Sequence, residues 1–481
     1  MKNNLIGRHS ESEVMTGLLN SKGAEMLAVI GRRRVGKTFL VRTVYHDFLN
    51  FEITGIQNAP LTVQLQDFAY QLSRLTKPGK QYPVPENWSV AFRQLSSVLE
   101  NVKSKKKLVL FFDELPWLAS RKSGFLPALD HFWNTWACKK NIIITICGSA
   151  ASWMIDKIVH HKGGLHNRIT KLINLAPFTL SETKSYLHSR GVRLDHYQII
   201  QLYMAMGGIP HYLKEIKPGL SAAQNIDYIC FRKDGLLRSE FGKLYPALFE
   251  HAEIHIKVIK ALASKWKGLT RKEIVAIGRL PDGGGLSRVL TELISSGFIT
   301  AFSPFGKIKK NSFYRLTDEY SLFYLRFIEK QHKAAANVWL KLSRSPSWKS
   351  WSGFAFESIC LKHTVNIKQA LGISGVYTEE SGYLFKGDKD KEGLQIDLLI
   401  DRQDAVINIC EMKFYSGIFT IDKSYAAKLR NRMNAFRVHS KTRKNVLLTF
   451  VSSFGIKQNS HSTGLIDNNL TMDVLFNDEV L

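Results

Sequence analysis

The chain has 481 residues, with 67 lysines and arginines against 41 aspartates and glutamates, a formal net charge of +26. This length excludes a single small fold and predicts about three domains. The content of 44% hydrophobic and 11% aromatic residues excludes wholesale disorder. So large a positive excess favours nucleic acid as a partner, because phosphates release counterions when lysine or arginine neutralises them. A merely soluble basic protein is the alternative.

The apolar runs and the N-terminal segment predict a cytoplasmic protein. No apolar stretch follows the basic residues at the start of the chain, so no secretory signal is visible. The longest apolar runs have the length of a strand, far short of the ~20 residues that span a bilayer. The five cysteines are scattered without a Cys-x-x-Cys pair, which is typical of reduced thiols. We therefore expect no membrane partner.

A phosphate-binding loop is predicted near the N-terminus, between an apolar strand over residues 26–30 and a helix over residues 39–49. The complete Gly-x-x-x-x-Gly-Lys-Thr pattern is formed by Gly31, Arg32, Arg33, Arg34, Val35, Gly36, Lys37 and Thr38. The glycines let backbone N–H groups approach phosphate oxygens at the helix N-terminus. Lys37 is expected to reach the β- and γ-phosphates, and Thr38 to ligate Mg²⁺.

Two further apolar runs end in polar residues that suit nucleotide hydrolysis. The first is followed by Asp113 and Glu114, and the second by Ser149. Asp113 is predicted to position magnesium and Glu114 to orient the attacking water, with a helix N-cap and first-turn acid as the alternative. Ser149 is predicted to sense the γ-phosphate, or else to cap the next helix. Strands separated by long helical stretches predict a parallel sheet.

Arg168 precedes another apolar run and is the candidate for an arginine finger. Such a residue stabilises the transferred charge across a subunit boundary, which implies a homo-oligomer. A solvated surface arginine is the alternative.

The middle of the chain has a helical pattern from Ser181 to about Tyr245, followed by three short helices over 253–264, 270–277 and 285–296. A hairpin comes next, and three helices with a basic hairpin predict a winged helix.

In a winged helix the third helix enters the major groove of DNA. It would present Ser287 and Arg288, and the wing would add three lysines, Lys307, Lys309 and Lys310. Winged helices also act as protein–protein or intramolecular clamps, which is the alternative here. The polar residues 341–349 predict a linker into a last domain.

The last domain carries a cluster of carboxylates. Asp397 lies in a predicted strand over 395–400, and the next strand delivers Glu411 and Lys413, which share one face. Two carboxylates from adjacent strands with a lysine suit Mg²⁺ and water activation for phosphodiester attack. Glu357, in an apparent helix upstream, is a further candidate ligand. An ion pair of Glu411 and Lys413 without chemistry is the alternative.

Together these motifs resemble the archaeal-type P-loop ATPases, which are related to AAA+ and STAND proteins. The resemblance covers nearly the whole chain, and its further motifs are Ile-Gly-Arg at 6–8, Cys-Gly-Ser at 147–149 and Gly-Gly-Ile-Pro at 207–210. In that family the ATPase is followed by a winged helix and a C-terminal domain similar to PD-(D/E)xK nucleases.

The resemblance implies an α/β fold: a P-loop NTPase parallel sheet with a helical lid, a winged-helix domain and a C-terminal α/β nuclease-like domain. ATP and Mg²⁺ are the implied cofactors. The expected domains are the ATPase core, the lid, the winged helix and the nuclease-like domain, over residues 1–180, 181–248, 249–335 and 350–481.

The resemblance also implies two sets of residues. The nucleotide set is Lys37, Thr38, Asp113 and Glu114, and the nuclease-like set is Glu357, Asp397, Glu411 and Lys413. The sequence departs from the nuclease pattern in two places. Ile396 replaces the proline, and after Lys413 there is no Gln-x-x-x-Tyr helix, only Tyr425.

The leading hypothesis is an ATPase that acts on DNA, with the ATP state gating a Mg-dependent deoxyribonuclease-like domain. A non-catalytic, ATP-regulated DNA-binding or scaffold protein with an inactive nuclease fold is the first alternative. An ATP-dependent protein-remodelling factor is the second, and it predicts weak DNA binding.

Overall fold

A computed structural model describes residues 5–76, 81–104, 106–120, 122–149, 151–155, 157, 164–306, 312–331, 337–385, 387 and 393–477. The chain divides into two compact units. The first comprises residues 1–177 with 295–297, and the second comprises residues 178–294 with 298–481.

The first unit is built on a parallel sheet of five strands in the order β2-β3-β4-β1-β5. The strands are Glu25–Ile30 (β1), Leu49–Thr54 (β2), Leu108–Asp113 (β3), Ile142–Gly148 (β4) and Lys171–Asn174 (β5). All seven residues of β4 are buried, as expected for a central parallel strand covered on both faces. This confirms the predicted α/β fold with a parallel sheet.

One helix precedes these strands and the others lie between them in the chain. They are His9–Asn20 (α1), Lys37–Val44 (α2), Leu61–Arg74 (α3), Trp88–Glu100 (α4), Leu115–Leu118 (α5), Phe125–Thr135 (α6) and Ala151–Met154 (α7). An aromatic core packs between α3, α4, α6 and the sheet, where Phe92 lies 5.8 Å from Phe112 and 5.0 Å from Phe132 between ring centroids.

The helix predicted over residues 39–49 is too long. The helix ends at Val44, and Leu49 begins β2. Leu49, Phe51 and Ile53 alternate with polar residues in the sequence, which is the period of a strand, and Phe51 and Ile53 are buried.

The second unit contains a three-stranded antiparallel sheet, in the order β6-β8-β7, and a five-stranded sheet, in the order β15-β13-β11-β10-β9. In the larger sheet β9, β10 and β11 are antiparallel, and β13 and β15 run parallel to β11. A further short pair joins β12 and β14. The strands are Leu269–Thr270 (β6), Ile299–Phe302 (β7), Phe313–Leu316 (β8), Thr378–Phe385 (β9), Leu394–Arg402 (β10), Val406–Lys413 (β11), Phe419–Thr420 (β12), Asn445–Ser452 (β13), Ile456–Lys457 (β14) and Asn468–Thr471 (β15).

The helices of this unit are Leu180–Ser189 (α8), His196–Met206 (α9), Pro210–Leu213 (α10), Ala222–Ile226 (α11), Phe241–Leu244 (α12), Ala252–Ala263 (α13), Arg271–Gly278 (α14), Gly284–Ser295 (α15), Glu319–Phe323 (α16), Val338–Leu342 (α17), Pro346–Lys362 (α18), Thr364–Ala370 (α19) and Lys423–Ser440 (α20). The helices α13 to α15 and the hairpin β7–β8 lie where the sequence predicts them. The wing lysines Lys307, Lys309 and Lys310 lie outside the described residues.

The linker predicted over residues 341–349 is wrong. These residues end α17 and begin α18, a helix of 17 residues. Ser345 accepts a hydrogen bond from the N–H of Trp348, and Pro346 occupies the first helical position. Serine and proline at these positions are helix-start signals, so the polar stretch marks a helix boundary.

Within the described part of the chain, no helix combines the length and the apolar character needed to cross a bilayer.

A buried histidine joins the start of α8 to α18 and α19. His363 is 4% exposed, and its Nε2 accepts a hydrogen bond of 3.1 Å from the N–H of Leu180. Its Nδ1 lies 2.8 Å from the carbonyl of Ile359, so the neutral ring donates there. Burial lowers the pKa of His363 to about 4, although the Ile359 contact opposes the shift.

The low pKa of His363 predicts a loss of stability in mild acid. As the pH falls below about 6.5, the unfolded chain protonates this histidine while the folded chain does not, until the pH nears 4. The expected cost is about 2 kcal/mol between pH 7 and pH 5. Chemical denaturation followed by tryptophan fluorescence measures it.

The variant His363→Gln is the matched control, because its amide can replace both hydrogen bonds without titrating. It should lose less stability than the wild type over the same interval. Parallel losses in both proteins would contradict the assignment.

Candidate functional site

The loop between β1 and α2 has the backbone of a phosphate cradle. Gly31 and Gly36 have φ values of 146° and 97°, which favour glycine. A Cβ on Gly31 would lie 2.4 Å from the carbonyl oxygen of Leu175, so no side chain fits there. Gly36 precedes the first residue of α2, and the loop N–H groups therefore converge at a helix N-terminus, where anions are favoured.

Lys37 lies across this loop. Its ammonium donates to the carbonyls of Gly31, at 2.8 Å, and Arg32, at 3.0 Å, and the residue is 6% exposed. Of the three loop arginines, Arg32 is buried, Arg33 is exposed and Arg34 is half-buried with φ at 73°. The lysine charge is thus fixed at the mouth of the loop.

Thr38 and Asp113 meet at the same place. The Thr38 hydroxyl donates a hydrogen bond of 2.7 Å to Oδ2 of Asp113. Asp113 ends β3 and is 3% exposed. A hydroxyl and a carboxylate that face each other are the oxygen ligands Mg²⁺ prefers, so this pair fits the expected magnesium site.

Glu114 follows in a left-handed conformation, with φ at 46°. Its Oε2 accepts hydrogen bonds from the Ser149 hydroxyl, at 2.8 Å, and from the Ser149 N–H, at 3.3 Å. The Ser149 hydroxyl is therefore directed at Glu114. The two predicted hydrolysis residues are brought together at the carboxyl ends of neighbouring strands.

Arg168 lies in a short helical turn, and its Nε is 3.9 Å from Oδ1 of Asp130 on α6. The side chain is 38% exposed. No described contact joins it to Lys37 or Asp113, so its predicted role as a finger stays a prediction.

Arg8 is a positioning residue that the sequence analysis left without a role. It is 5% exposed, and its guanidinium donates to the carbonyls of Ala176, at 2.8 Å, and Val35, at 3.4 Å. Arg8 thereby connects the start of the chain with the phosphate loop. Its place in the Ile-Gly-Arg motif was the available signal.

In the second unit, Glu411 on β11 is surrounded by donors. Lys413 lies 3.0 Å from its Oε1, the Tyr425 hydroxyl donates to Oε1 at 2.6 Å, and Arg432 contacts Oε2. Burial alone would raise the pKa of Glu411, but Lys413, Arg432 and Tyr425 together lower it. The carboxylate is therefore ionised although it is 8% exposed.

Tyr425 and Arg432 both contact Glu411, a role that the sequence motifs do not predict for either residue. Both lie on α20, and their spacing of seven residues puts them on one helix face. The helix expected to carry Gln-x-x-x-Tyr thus reaches the site with a different pair of residues.

Asp397 lies on β10, next to β11, where the register with β9 shifts between Ile396 and Leu399. A bulge of this kind redirects side chains near functional sites. Gln395 donates to Oδ1 of Asp397 at 2.9 Å, and Arg315 of β8 approaches the same oxygen to 3.8 Å. Burial lowers the pKa of Arg315, while Asp397 and Glu357 oppose that shift.

Glu357 lies on α18 beside these carboxylates. Burial, and then the charge of Asp397, raise the pKa of Glu357 to about 8. Its carboxyl group is therefore mostly protonated at neutral pH. The predicted set of Glu357, Asp397, Glu411 and Lys413 is assembled in one place.

A cavity of about 230 Å³ contains this set, and its described charged lining is Lys267, Arg315, Glu357, Asp397, Glu411, Lys413 and Arg432. Yet among the described residues, no three His, Cys, Asp or Glu side chains are grouped to hold a metal ion. The reason is visible at Glu411, because cationic and hydroxyl donors occupy both of its oxygens. As arranged, the predicted metal ligands Glu357, Asp397 and Glu411 do not form a metal centre.

The candidate DNA-reading residues on α15 are engaged locally. Ser287 accepts a hydrogen bond of 2.8 Å from Arg271, and Arg288 pairs with Glu292 at 2.8 Å. The Arg288 side chain is 76% exposed.

Residues 5–216 match the family described as an ATPase domain predominantly from Archaea. The expected archaeal-type ATPase domain is thereby confirmed for this part of the chain. The match ends before α13 to α15 and before the C-terminal sheet. The uncharacterized protein MJECL04 of Methanocaldococcus jannaschii is 22% identical over 406 residues, which are 82% of this chain and 87% of that protein.

Two solved structures are similar in part. The Walker-type ATPase PABY2304 of Pyrococcus abyssi has 17% identity and a TM-score of 0.49, covering 67% of this chain and 96% of that one. The ORC2 protein of Aeropyrum pernix, solved with ADPNP and ADP, has 15% identity and a TM-score of 0.43, covering 68% and 93%. The assignment of the ATPase domain depends on the family match and the loop geometry.

The phosphate loop yields a direct prediction. Lys37→Ala should abolish ATP binding, because it removes the charge fixed at the loop mouth. Glu114→Gln should keep ATP affinity within about threefold but lower turnover by about a hundredfold or more, since it removes only the predicted water-orienting group. Calorimetric titration and phosphate release measure the two quantities. Unchanged nucleotide affinity in Lys37→Ala would refute the assignment.

Proposed function

We propose that this protein binds and hydrolyses ATP in its N-terminal domain and uses the nucleotide state to control how its C-terminal domain holds DNA. The observation that carries the proposal is the contact of Thr38 with Asp113 beside Lys37, within an archaeal-type ATPase domain. The proposed domains are those expected from the sequence, over residues 1–180, 181–248, 249–335 and 350–481.

In this proposal each residue of the N-terminal site has a separate role in binding or hydrolysing ATP. The loop N–H groups and Lys37 bind the phosphates, and Thr38 and Asp113 hold Mg²⁺, which neutralises charge on the β- and γ-phosphates when it is bound. Glu114 orients the attacking water. Because Ser149 now donates to Glu114, a γ-phosphate that attracted the Ser149 hydroxyl would release Glu114 toward the water.

The charge of the chain supports DNA as the partner. The net charge is +26, and four basic side chains line the C-terminal cavity beside three acidic ones. Phosphate contacts supply most of the affinity of non-specific DNA binding. The predicted winged helix, formed by α13 to α15 and the β7–β8 hairpin, is the second proposed contact.

Stacked aromatic rings support the gating part of the proposal. Tyr197 of α9, in the proposed lid, stacks on Phe414 with centroids 4.6 Å apart and an interplanar angle of 2°. Phe414 directly follows Lys413, and it also lies 5.5 Å from Phe356, which directly precedes Glu357. A shift of α9 would therefore displace the backbone that carries the cavity residues.

A salt-dependent DNA titration with ATP and with ADP tests this function. We expect the wild type to bind a labelled duplex with a steep salt slope and with different affinities in the two nucleotides. Tyr197→Ala should keep ATP binding but reduce that difference, and Tyr70→Ala, an exposed tyrosine, is the matched control. Absence of DNA binding at low salt would refute the function.

A metal-dependent nuclease is the second candidate function, because Asp397 and Glu411 lie on adjacent strands with Lys413 beside them. For Glu411 to bind a metal ion in such a nuclease, Arg432 and Lys413 would have to move away from its carboxylate. This candidate predicts Mg²⁺-dependent nicking of supercoiled plasmid by the wild type and none by Asp397→Asn. Glu411→Gln should also abolish binding of Mn²⁺ at this site. Identical behaviour of the wild type and Asp397→Asn would eliminate the candidate.

The proposal includes three further predictions. Arg168 acts as an arginine finger, the protein assembles into a homo-oligomer, and it is located in the cytoplasm.

A further inference from the structure

The C-terminal cavity is lined by an arginine with one buried nitrogen that is unsatisfied among the described residues. Arg315 comes from β8 of the three-stranded sheet, and its side chain is 14% exposed. Its Nε is buried and finds no hydrogen-bond partner among the described residues. The approach of Nη2 to Asp397, at 3.8 Å, is too long for a hydrogen bond. A largely buried guanidinium in this state is costly unless a ligand completes its bonding.

Two other cations of the cavity lining already contact a carboxylate, and Lys267 is exposed. Lys413 and Arg432 both contact Glu411. Asp397 is instead held by the neutral amide of Gln395. Arg315 is therefore the buried cation of the cavity that an incoming anion can take as its partner.

One aromatic residue of the hairpin contacts Arg315, and a second anchors the hairpin to the larger sheet. Its guanidinium lies 5.1 Å from the ring centroid of Phe302 on β7, a cation–π distance. Further along the hairpin, the N–H of Phe305 donates a hydrogen bond of 2.7 Å to the carbonyl of Gly382 on β9. The Phe305 ring packs against Phe436 and Tyr383, with centroids 5.8 Å and 6.5 Å away. The smaller sheet is thereby latched to the larger one.

We propose that Arg315 is a phosphate-binding residue of the C-terminal cavity, supplied by the three-stranded sheet, and that its ligand is a phosphodiester group of DNA. A planar guanidinium binds two phosphate oxygens in parallel, and Arg315 lines the same cavity as Asp397 and Glu411. The hairpin then serves as an intramolecular clamp that completes the site. This inference rests on the proposed function in its choice of DNA.

DNA titrations over a range of salt concentrations test the proposal with the full-length chain. Arg315→Gln should weaken binding of a short labelled duplex about tenfold or more and reduce the salt slope by about one ion. Arg315→Lys should have the salt slope of the wild type but a lower affinity. The lysine keeps the positive charge but cannot bind two phosphate oxygens in parallel. Arg430→Gln, an exposed arginine of α20, is the matched control for loss of charge.

The outcomes separate this inference from the proposed function. If the wild type binds DNA and Arg315→Gln binds it with the same slope, the inference is wrong and the function stands. If Arg315→Gln binds more tightly, the arginine blocks the cavity and the inference is also wrong.

A titration with inorganic phosphate tests the role of Arg315 without DNA. If the wild type does not bind DNA, the proposed function fails, and ³¹P NMR line broadening then decides the phosphate-binding role. Both proteins are compared in the Lys37→Ala background, so that the phosphate loop does not contribute to the signal. Broadening that is lost on adding Arg315→Gln would support that role, and equal spectra would overturn it. Melting temperatures of all variants establish that each protein is folded.

Discussion

The parallel register of β1, β3 and β4 is the constraint on which the N-terminal site depends. Ile30 pairs with Gly148, and Phe112 pairs with Ile146, so all three strands end at one edge of the sheet. Because both faces are covered, the strands themselves are apolar and polar groups can be placed only where the strands end. The loop, the Asp-Glu pair and the serine therefore converge, although their segments lie far apart in the sequence.

The C-terminal site obeys a different rule, in which buried charge is balanced locally. Glu411 is deeply buried, and an isolated carboxylate there would be protonated. Three donors from β11 and α20 keep it ionised. Glu357 is mostly protonated, because burial and the like charges of Asp397 and Glu411 outweigh Lys413 and Arg315. Two carboxyl groups in one cavity are thus held in opposite protonation states at neutral pH by their surroundings.

Local patterns in the sequence were enough to predict the residues of the phosphate loop. They predicted only some of the residues of the C-terminal cavity. The phosphate loop follows from consecutive residues, because its chemistry needs a fixed spacing of Gly31, Gly36 and Lys37. The carboxylate cluster was also predictable from strand alternation. Arg432 was not, since its role depends on which face of α20 meets the sheet. Arg315 was not either, because the sequence does not say that a strand of one sheet ends beside the strands of another. The prediction of a linker over residues 341–349 was wrong because serine and proline, here Ser345 and Pro346, are common both in loops and at helix starts.

The hydrogen bond from Phe305 to Gly382 also affects how the protein can be divided. β9 is the outer strand of its sheet, and outer strands with unpaired backbone groups readily join other chains. Phe305 covers part of that edge and packs against Tyr383 and Phe436. A fragment that starts at the last domain would therefore expose both an open strand and the apolar surface of these two rings, and it would tend to aggregate. The natural cut for an expressible C-terminal fragment lies before α8, at the start of the second unit, so that the hairpin stays with the sheet it protects.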